Sequence, residues 1–384
     1  MVVHVHGYVD GYVRRLSLSL MFCMLAACGG SASSEVKHAE APKAADPRAA
    51  AAYLEGVKAL GQRGASNEER AIAQFEAALR IDPQLWEAHY NLGVLYRRRG
   101  EPRKALPHLE KAHEIESSAG EPLIALAEVQ HALGEREAAA ELLEEYVKAH
   151  PEANEVRIAL VAVLRERGTY DAALQRAREA LVREPANIPA LLEVGRIYKA
   201  RGDYDVAELV FQKVLALDAK NATAHNDLGL LALARGDTQR AFDEFDKAVG
   251  SDPSFSVARM NRASVLLRSG DYASAQEEYR KVLDVDGQLV EARVGLGICL
   301  RGLGKYPAAE AEYQKALDVE PNHPAALFNL ALLRADFLNK KTAARELFER
   351  FLDVAAKDES QRAVAERYVA ELSAPAEPSA GATP

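Results

Sequence analysis

Four sets of residues in this chain have types and spacings that could do chemistry. Gly302-Leu303-Gly304-Lys305 would suit a backbone cradle for phosphate with a lysine behind it. It lacks the upstream glycine, and Tyr306 stands where a Ser or Thr would reach the metal. Ser34 and Lys37 have the spacing of a Ser-Lys acyl-transfer pair, but in a stretch too rich in Gly, Ser and Ala to hold them still. His108 and His113 are five apart, not the three or four that share a helix face, and read as surface histidines. Asn221-Ala222-Thr223 is a glycosylation acceptor, silent where that machinery is absent. No His-Glu-x-x-His, Gly-x-Ser-x-Gly or paired-cysteine spacing occurs. The chain reads as a non-enzyme with no cofactor and no metal.

The elements that would position any site repeat along the chain. Ala105, Ala139, Ala173, Ala207, Ala241, Ala275, Ala309 and Ala343 are evenly spaced. Gly100, Gly134, Gly168, Gly202, Gly236, Gly270 and Gly304 keep the same interval. A fixed period of this length implies stacked copies of one supersecondary unit. Within Val290 to His323, Val294, Leu296, Ile298, Leu300 and Leu303 have helical spacing, Gly304 ends that helix, and Pro307 opens a second. Ala309, Tyr313, Ala316 and Leu317 line its apolar face, and Pro321 stops it. Helices this short are marginal alone and must bury their stripes against neighbours. The recurring alanine marks a close helix crossing.

With repeats beginning at 86, 120, 154, 188, 222, 256, 290 and 324, position 8 reads Gly93, Ala127, Val161, Gly195, Gly229, Ala263, Gly297 and Ala331. Position 24 reads Leu109, Leu143, Ala177, Phe211, Phe245, Tyr279, Tyr313 and Leu347, and position 32 is proline at 151, 185, 253 and 321. This pattern resembles the tetratricopeptide repeat (TPR). The resemblance implies an all-α, right-handed superhelical solenoid of about nine helix-turn-helix units, close to one full turn, with a C-terminal capping helix. Eight 34-residue units fill 86–357. A looser unit spans 49–85 (Gly56, Ala71, Phe75, Ala78, Pro83), with extra turn residues around 61–69. A cap is expected over 358–372, from Glu359 to Leu372, and a disordered tail over 373–384. Two departures stand out: Pro107 should kink its helix, and Leu338 replaces the expected glycine.

The first 27 residues read as a signal peptide: Arg14-Arg15, then an apolar run from Leu16 to Leu25, too short to span a bilayer. Leu25-Ala26-Ala27-Cys28 resembles the lipobox of bacterial lipoproteins, which implies lipidation at Cys28. Gly29 after it implies the periplasmic face of the outer membrane. Residues 28–48 form a flexible tether. Cys299 is expected half-buried, structural and without a disulfide. A net charge of −9 weighs against nucleic acid, and nothing points to a small-molecule substrate.

By resemblance, the first helices of a TPR array line a partner-binding groove. Arg97, His131, Arg165 and Lys199 then form a basic row, with His131 charging near pH 6.5. Tyr90, Asn91, Asn226, Leu233, Met260, Asn261, Leu267, Phe328 and Asn329 complete a groove that turns apolar toward the C-terminus. Its expected ligands are proteins or extended segments with acidic, then apolar, residues. The whole is similar to TPR lipoproteins of the bacterial envelope, and its Arg- and Ala-rich composition to those of myxobacterial gliding motility. The expected role is a lipid-anchored scaffold of a gliding, pilus or secretion complex. An accessory subunit of a cell-wall or polysaccharide enzyme, or a co-chaperone, are the alternatives.

Overall fold

The structure is a computed structural model describing residues 46–61, 65–357 and 359–373. The proposed signal peptide, Cys28, most of the tether and nearly all of the tail lie outside the described residues. Nineteen helices and no strand occur among the described residues, and none is long and apolar enough to cross a membrane. The chain divides into two compact units between Ala219 and Lys220. The first unit holds five pairs: α1 (Pro47–Leu60) with α2 (Ala65–Ile81), α3 (Trp86–Arg98) with α4 (Pro102–Ile115), α5 (Gly120–Ala132) with α6 (Arg136–Ala149), α7 (Asn154–Glu166) with α8 (Tyr170–Arg183), and α9 (Ile188–Arg201) with α10 (Tyr204–Leu217). The second holds four: α11 (Ala222–Ala234) with α12 (Thr238–Ser251), α13 (Ser256–Arg268) with α14 (Tyr272–Val285), α15 (Val290–Gly302) with α16 (Tyr306–Val319), and α17 (Pro324–Asp336) with α18 (Lys341–Val354). The cap, α19 (Arg362–Ser373), packs on α18.

Local signals explain the pairing. Asn187 and Asn221 each cap a following helix, their side-chain oxygens accepting the Ala190 and Ala224 amides at 2.9 Å. At the other end, Gly202 takes φ +83°; its amide donates to Lys199 O and that of Asp203 to Tyr198 O. This is the Schellman arrangement, which needs a residue without a Cβ penalty in the left-handed region. Within several pairs, one glycine lets an aromatic ring lie on the helix backbone. An added Cβ at Gly195 would meet Phe211 at 2.4 Å, at Gly229 Phe245 at 2.5 Å, and at Gly297 Tyr313 at 2.4 Å. The unit 154–187 inverts the volumes: Val161 stands at position 8 and Ala177 at position 24, both fully buried in one cluster.

The structure corrects the even register in the last unit. No glycine is available at Leu338, so Asn339 takes the left-handed conformation at φ 52°, and the Lys340 amide reaches back to Arg334 O. The turn gains a residue and α18 starts one position late. Ala344, Phe348 and Phe351 are fully buried, whereas Ala343 is only half-buried. Phe348, not Leu347, therefore fills the ring site. Two further expectations change, for residues 65–69 and for Cys299. Residues 65–69 are helical, not turn, and Arg98 and Arg99 hold Glu68 at 2.8 and 3.2 Å. Pro107 lies inside a helix that continues through it. Cys299 is fully buried, and burial pushes its thiol up to about 12. The cap begins at Arg362 and docks by Tyr368, whose ring stacks on Phe348 at 4.9 Å and whose hydroxyl donates to Asp336.

Two outcomes test this packing. Ala344→Leu should cost about 1–3 kcal/mol by overpacking, and Ala343→Leu much less; equal losses in denaturant unfolding would restore the unshifted register. Gly229→Val and Phe245→Ala should each destabilise, but together cost less than the sum of the two, because Val161 and Ala177 are that combination already in place.

Candidate functional site

The candidate site is built on the first helix of each unit. In the first unit the basic row is turned inward. Arg97 of α3 pairs with Glu128 of α5. Arg165 of α7 donates from Nε to Glu193 of α9 at 2.9 Å, and Arg196 holds the other Glu193 oxygen at 2.7 Å. All three side chains are at most 10% exposed. Burial by itself would raise the Glu193 pKa; Arg165 and Arg196 outweigh it and hold the carboxyl at about 2. Glu166 pairs with Arg165 as well. Arg97 and Arg165 are therefore paired within the stack, and the row is not an open basic track at these two positions. The physical reason is that position 12 of one first helix faces positions 6 and 9 of the next, and Glu193 and Glu128 stand there. His131 is half-buried, with burial pushing its pKa down, so it charges at a lower pH than the unperturbed group. Lys199 is half-buried and has a partner of its own.

Most of the remaining groove candidates also pack between helices. Tyr90 is fully buried. Asn91, also buried, donates from Nδ2 to the Tyr53 hydroxyl oxygen at 3.1 Å, tying α3 to α1. In the second unit, Met260, Leu267 and Phe328 are buried, Phe328 against Phe348 and Phe351. Asn226 accepts from Asn261 Nδ2 at 2.8 Å across α11 and α13. Asn329 donates to Ala325 O of its own helix and so holds its place without reaching out. Position 5 is a packing position here, because successive first helices meet there. What stays half-exposed on this face is Leu233 and Asn261, joined by Leu230, Ser264, Leu332 and Ala335. Arg301, also at position 12, is half-buried in α15 and makes no side-chain hydrogen bond or ion pair among the described residues.

A second pattern escaped the sequence reading. Position 4 of the first helix meets position 23 of the second. His225 Nδ1 lies 2.7 Å from Glu244, Arg259 2.8 Å from Glu278 and Arg293 3.1 Å from Glu312. Lys247, Lys281 and Lys315 complete the rungs at 2.8, 3.0 and 2.7 Å. A base followed by an acid 19 residues later, recurring at the repeat interval, was the available signal. In the first full repeat His108 fills the acid's place. It is half-buried, not on the open surface, with its Nδ1 3.0 Å from His89 Nδ1.

Removing one side of the buried triad should be costly. Arg165→Met should cost about 3–5 kcal/mol, because Glu193 loses a main counter-charge in a dry site. The depressed Glu193 pKa stabilises the fold fully above its unfolded value near 4.5 and loses that effect as pH falls toward 2. Arg165→Met with Glu193→Leu should recover much of the loss and flatten the acid limb of the unfolding profile. A double variant no more stable than Arg165→Met would show that the triad does not act as a unit.

Comparison with known proteins follows this geometry. Family profiles described as "Tetratricopeptide repeat" match residues 192–254, 260–318 and 300–361, and another matches 96–164. One described as "TPR repeat" matches 67–100. No curated protein matches the chain. Among solved structures, the APC/C hetero-tetramer Cut9–Hcn1 is similar at TM-score 0.53 and 16% identity, over 84% of this chain and 63% of that one. At that identity the likeness is one of fold. YrrB, described as a TPR protein with an unusual peptide-binding site, gives 0.41 and 18%, over 50% of this chain and 97% of its own. PilF of Pseudomonas aeruginosa gives 0.42 and 19%, over 50% and 90%. The repeat register and the family profiles, which together cover more than half of its residues, place the chain in the tetratricopeptide repeat family.

Proposed function

We propose that this protein is a lipid-anchored scaffold of a bacterial envelope complex, holding extended segments of partner proteins against its first helices. The TPR fold supports protein or peptide partners. The observation that carries the reading is the half-exposed face of the second unit, where Leu230, Leu233, Leu332 and Ala335 accompany Arg301. Apolar side chains in a row suit alternate side chains of an extended segment, and the guanidinium suits a carboxylate on it. Arg97 and Arg165 of the first unit are paired internally, so the contact shifts to the second unit and to a mostly apolar ligand with one acidic group. The anchor is Cys28, in the lipobox-like Leu25-Ala26-Ala27-Cys28. Several acyl chains are needed there, because one binds a membrane only marginally. Gliding, pilus and secretion machines are the envelope assemblies this scaffold would serve.

Site-specific photo-crosslinking in envelope preparations tests the reading. A probe at Leu233 should capture a defined partner that a probe at the outward-facing Val285 does not, and Leu332→Asp or Arg301→Glu should weaken the capture. Equal capture from both positions would refute the assignment of this face. Separately, Cys28→Ala should move the protein from the membrane to the soluble fraction; retention after a salt wash would refute the lipid anchor.

A further inference from the structure

The first full repeat breaks the pattern of its own chain. Where later repeats join a base to a carboxylate at positions 4 and 23, α3 and α4 set His89 against His108, their Nδ1 atoms 3.0 Å apart. The next repeat places Leu123 and Leu142 at the same two positions, within one apolar cluster. The site thus accepts an ion pair or an apolar pair, and here it holds two titratable rings.

Geometry decides how the protons are arranged. His89 Nε2 faces the Pro83 carbonyl oxygen at 3.3 Å, an acceptor only, so Nε2 carries hydrogen. Neutral His89 then has a bare lone pair at Nδ1, and the hydrogen between the rings belongs to His108 Nδ1. A first added proton goes to His108 Nε2, and His108 still donates to His89. A second must go to His89 Nδ1. Two N–H groups then face each other, on two like charges with ring centroids 5.3 Å apart. Tyr96 blocks an easy escape, its ring stacked on His108 at 5.8 Å. We propose that the His89–His108 contact is a proton-sensitive joint, which holds α3 to α4 when at most one ring is charged and releases them when both are.

The surrounding charges are few. From α2, Glu76 accepts the Tyr96 hydroxyl at 3.3 Å and favours charge on His108. From α4, Lys111 opposes charge on His89, while Lys104 lies over the Tyr96 ring at 5.7 Å and is held by Glu101. Burial is the largest influence on both imidazoles and pushes both pKa values below 6.5, with His89 adding to the depression at His108. The sign follows: the unfolded chain takes up protons first, so this contact loses stabilising effect as pH drops through about 6.5 and below.

The test is hydrogen exchange of the full chain in EDTA between pH 7.5 and 5, corrected for intrinsic exchange. The wild type is compared with His89→Leu/His108→Leu, which copies the Leu123–Leu142 pair, and with His108→Glu, which copies His225–Glu244. Amide protection in α3 and α4 should fall on acidification in the wild type by more than about twofold relative to the leucine variant. Protection in α7 and α8 should not follow. His108→Glu should abolish or reverse the fall, because a charged His89 then has a carboxylate beside it. Parallel pH profiles in the wild type and the leucine variant, or in the wild type and His108→Glu, would overturn the proposal.

Discussion

The stack depends on two helices approaching closely enough for the volume of one to fill the gap left by the other, most tightly where a ring lies on a glycine. At Gly195, Gly229 and Gly297 there is no room for a Cβ beside Phe211, Phe245 and Tyr313. That contact sets the crossing of the two helices in these pairs, and the crossing sets which faces remain to meet the next pair. Interiors pack like crystals, so volume lost on one helix must return on the other. Val161 opposite Ala177 shows this exchange inside a single chain. Where Ala263 occupies the glycine's place, the Tyr279 ring instead lies on Gly295 of the following first helix, 2.4 Å from where its Cβ would stand.

Stacking then decides the fate of charge. A guanidinium at position 12 is solvated on an isolated helix, but in the array the neighbouring first helix covers it. Arg165 is retained in a dry site only because Glu193 and Glu166 accompany it. Such a group gives specificity of pairing more readily than net stability: an unmatched neighbour would leave a buried charge without a partner. The same logic separates the two faces of the array. Rungs such as Arg259–Glu278 consume charge within a repeat, and Arg165–Glu193 consumes it between repeats. What stays half-exposed on the first helices of the second unit is mostly apolar, with Arg301 among it.

The pair positions 4 and 23 show one geometric slot filled in several ways. An ion pair, an apolar pair and a pair of imidazoles all fit, because the slot is set by backbone crossing and not by the side chains in it. The imidazole pair is the version in which both members are histidines, the side chain whose charge changes within a physiological range of pH. A repeat protein can thus vary local stability along its length without altering its architecture, since each unit leans only on its neighbours.

Spacing alone determined the helix pairs and their order, and most of their ends, because glycines in the left-handed conformation, capping asparagines and 3.6-residue apolar stripes act within a few residues of themselves. Asn339 was equally legible as a left-handed residue, but whether the turn would use it or Leu338 depended on which alanine, Ala343 or Ala344, could reach the crossing. The sites were far less legible. Arg97 and Arg165 have groove spacing in one dimension. Only the stack brings Glu128 and Glu193, 31 and 28 residues away, onto them. His89 and His108 meet for the same reason: burial and counter-charge belong to neighbours that are distant in sequence, and those neighbours are chosen by tertiary packing.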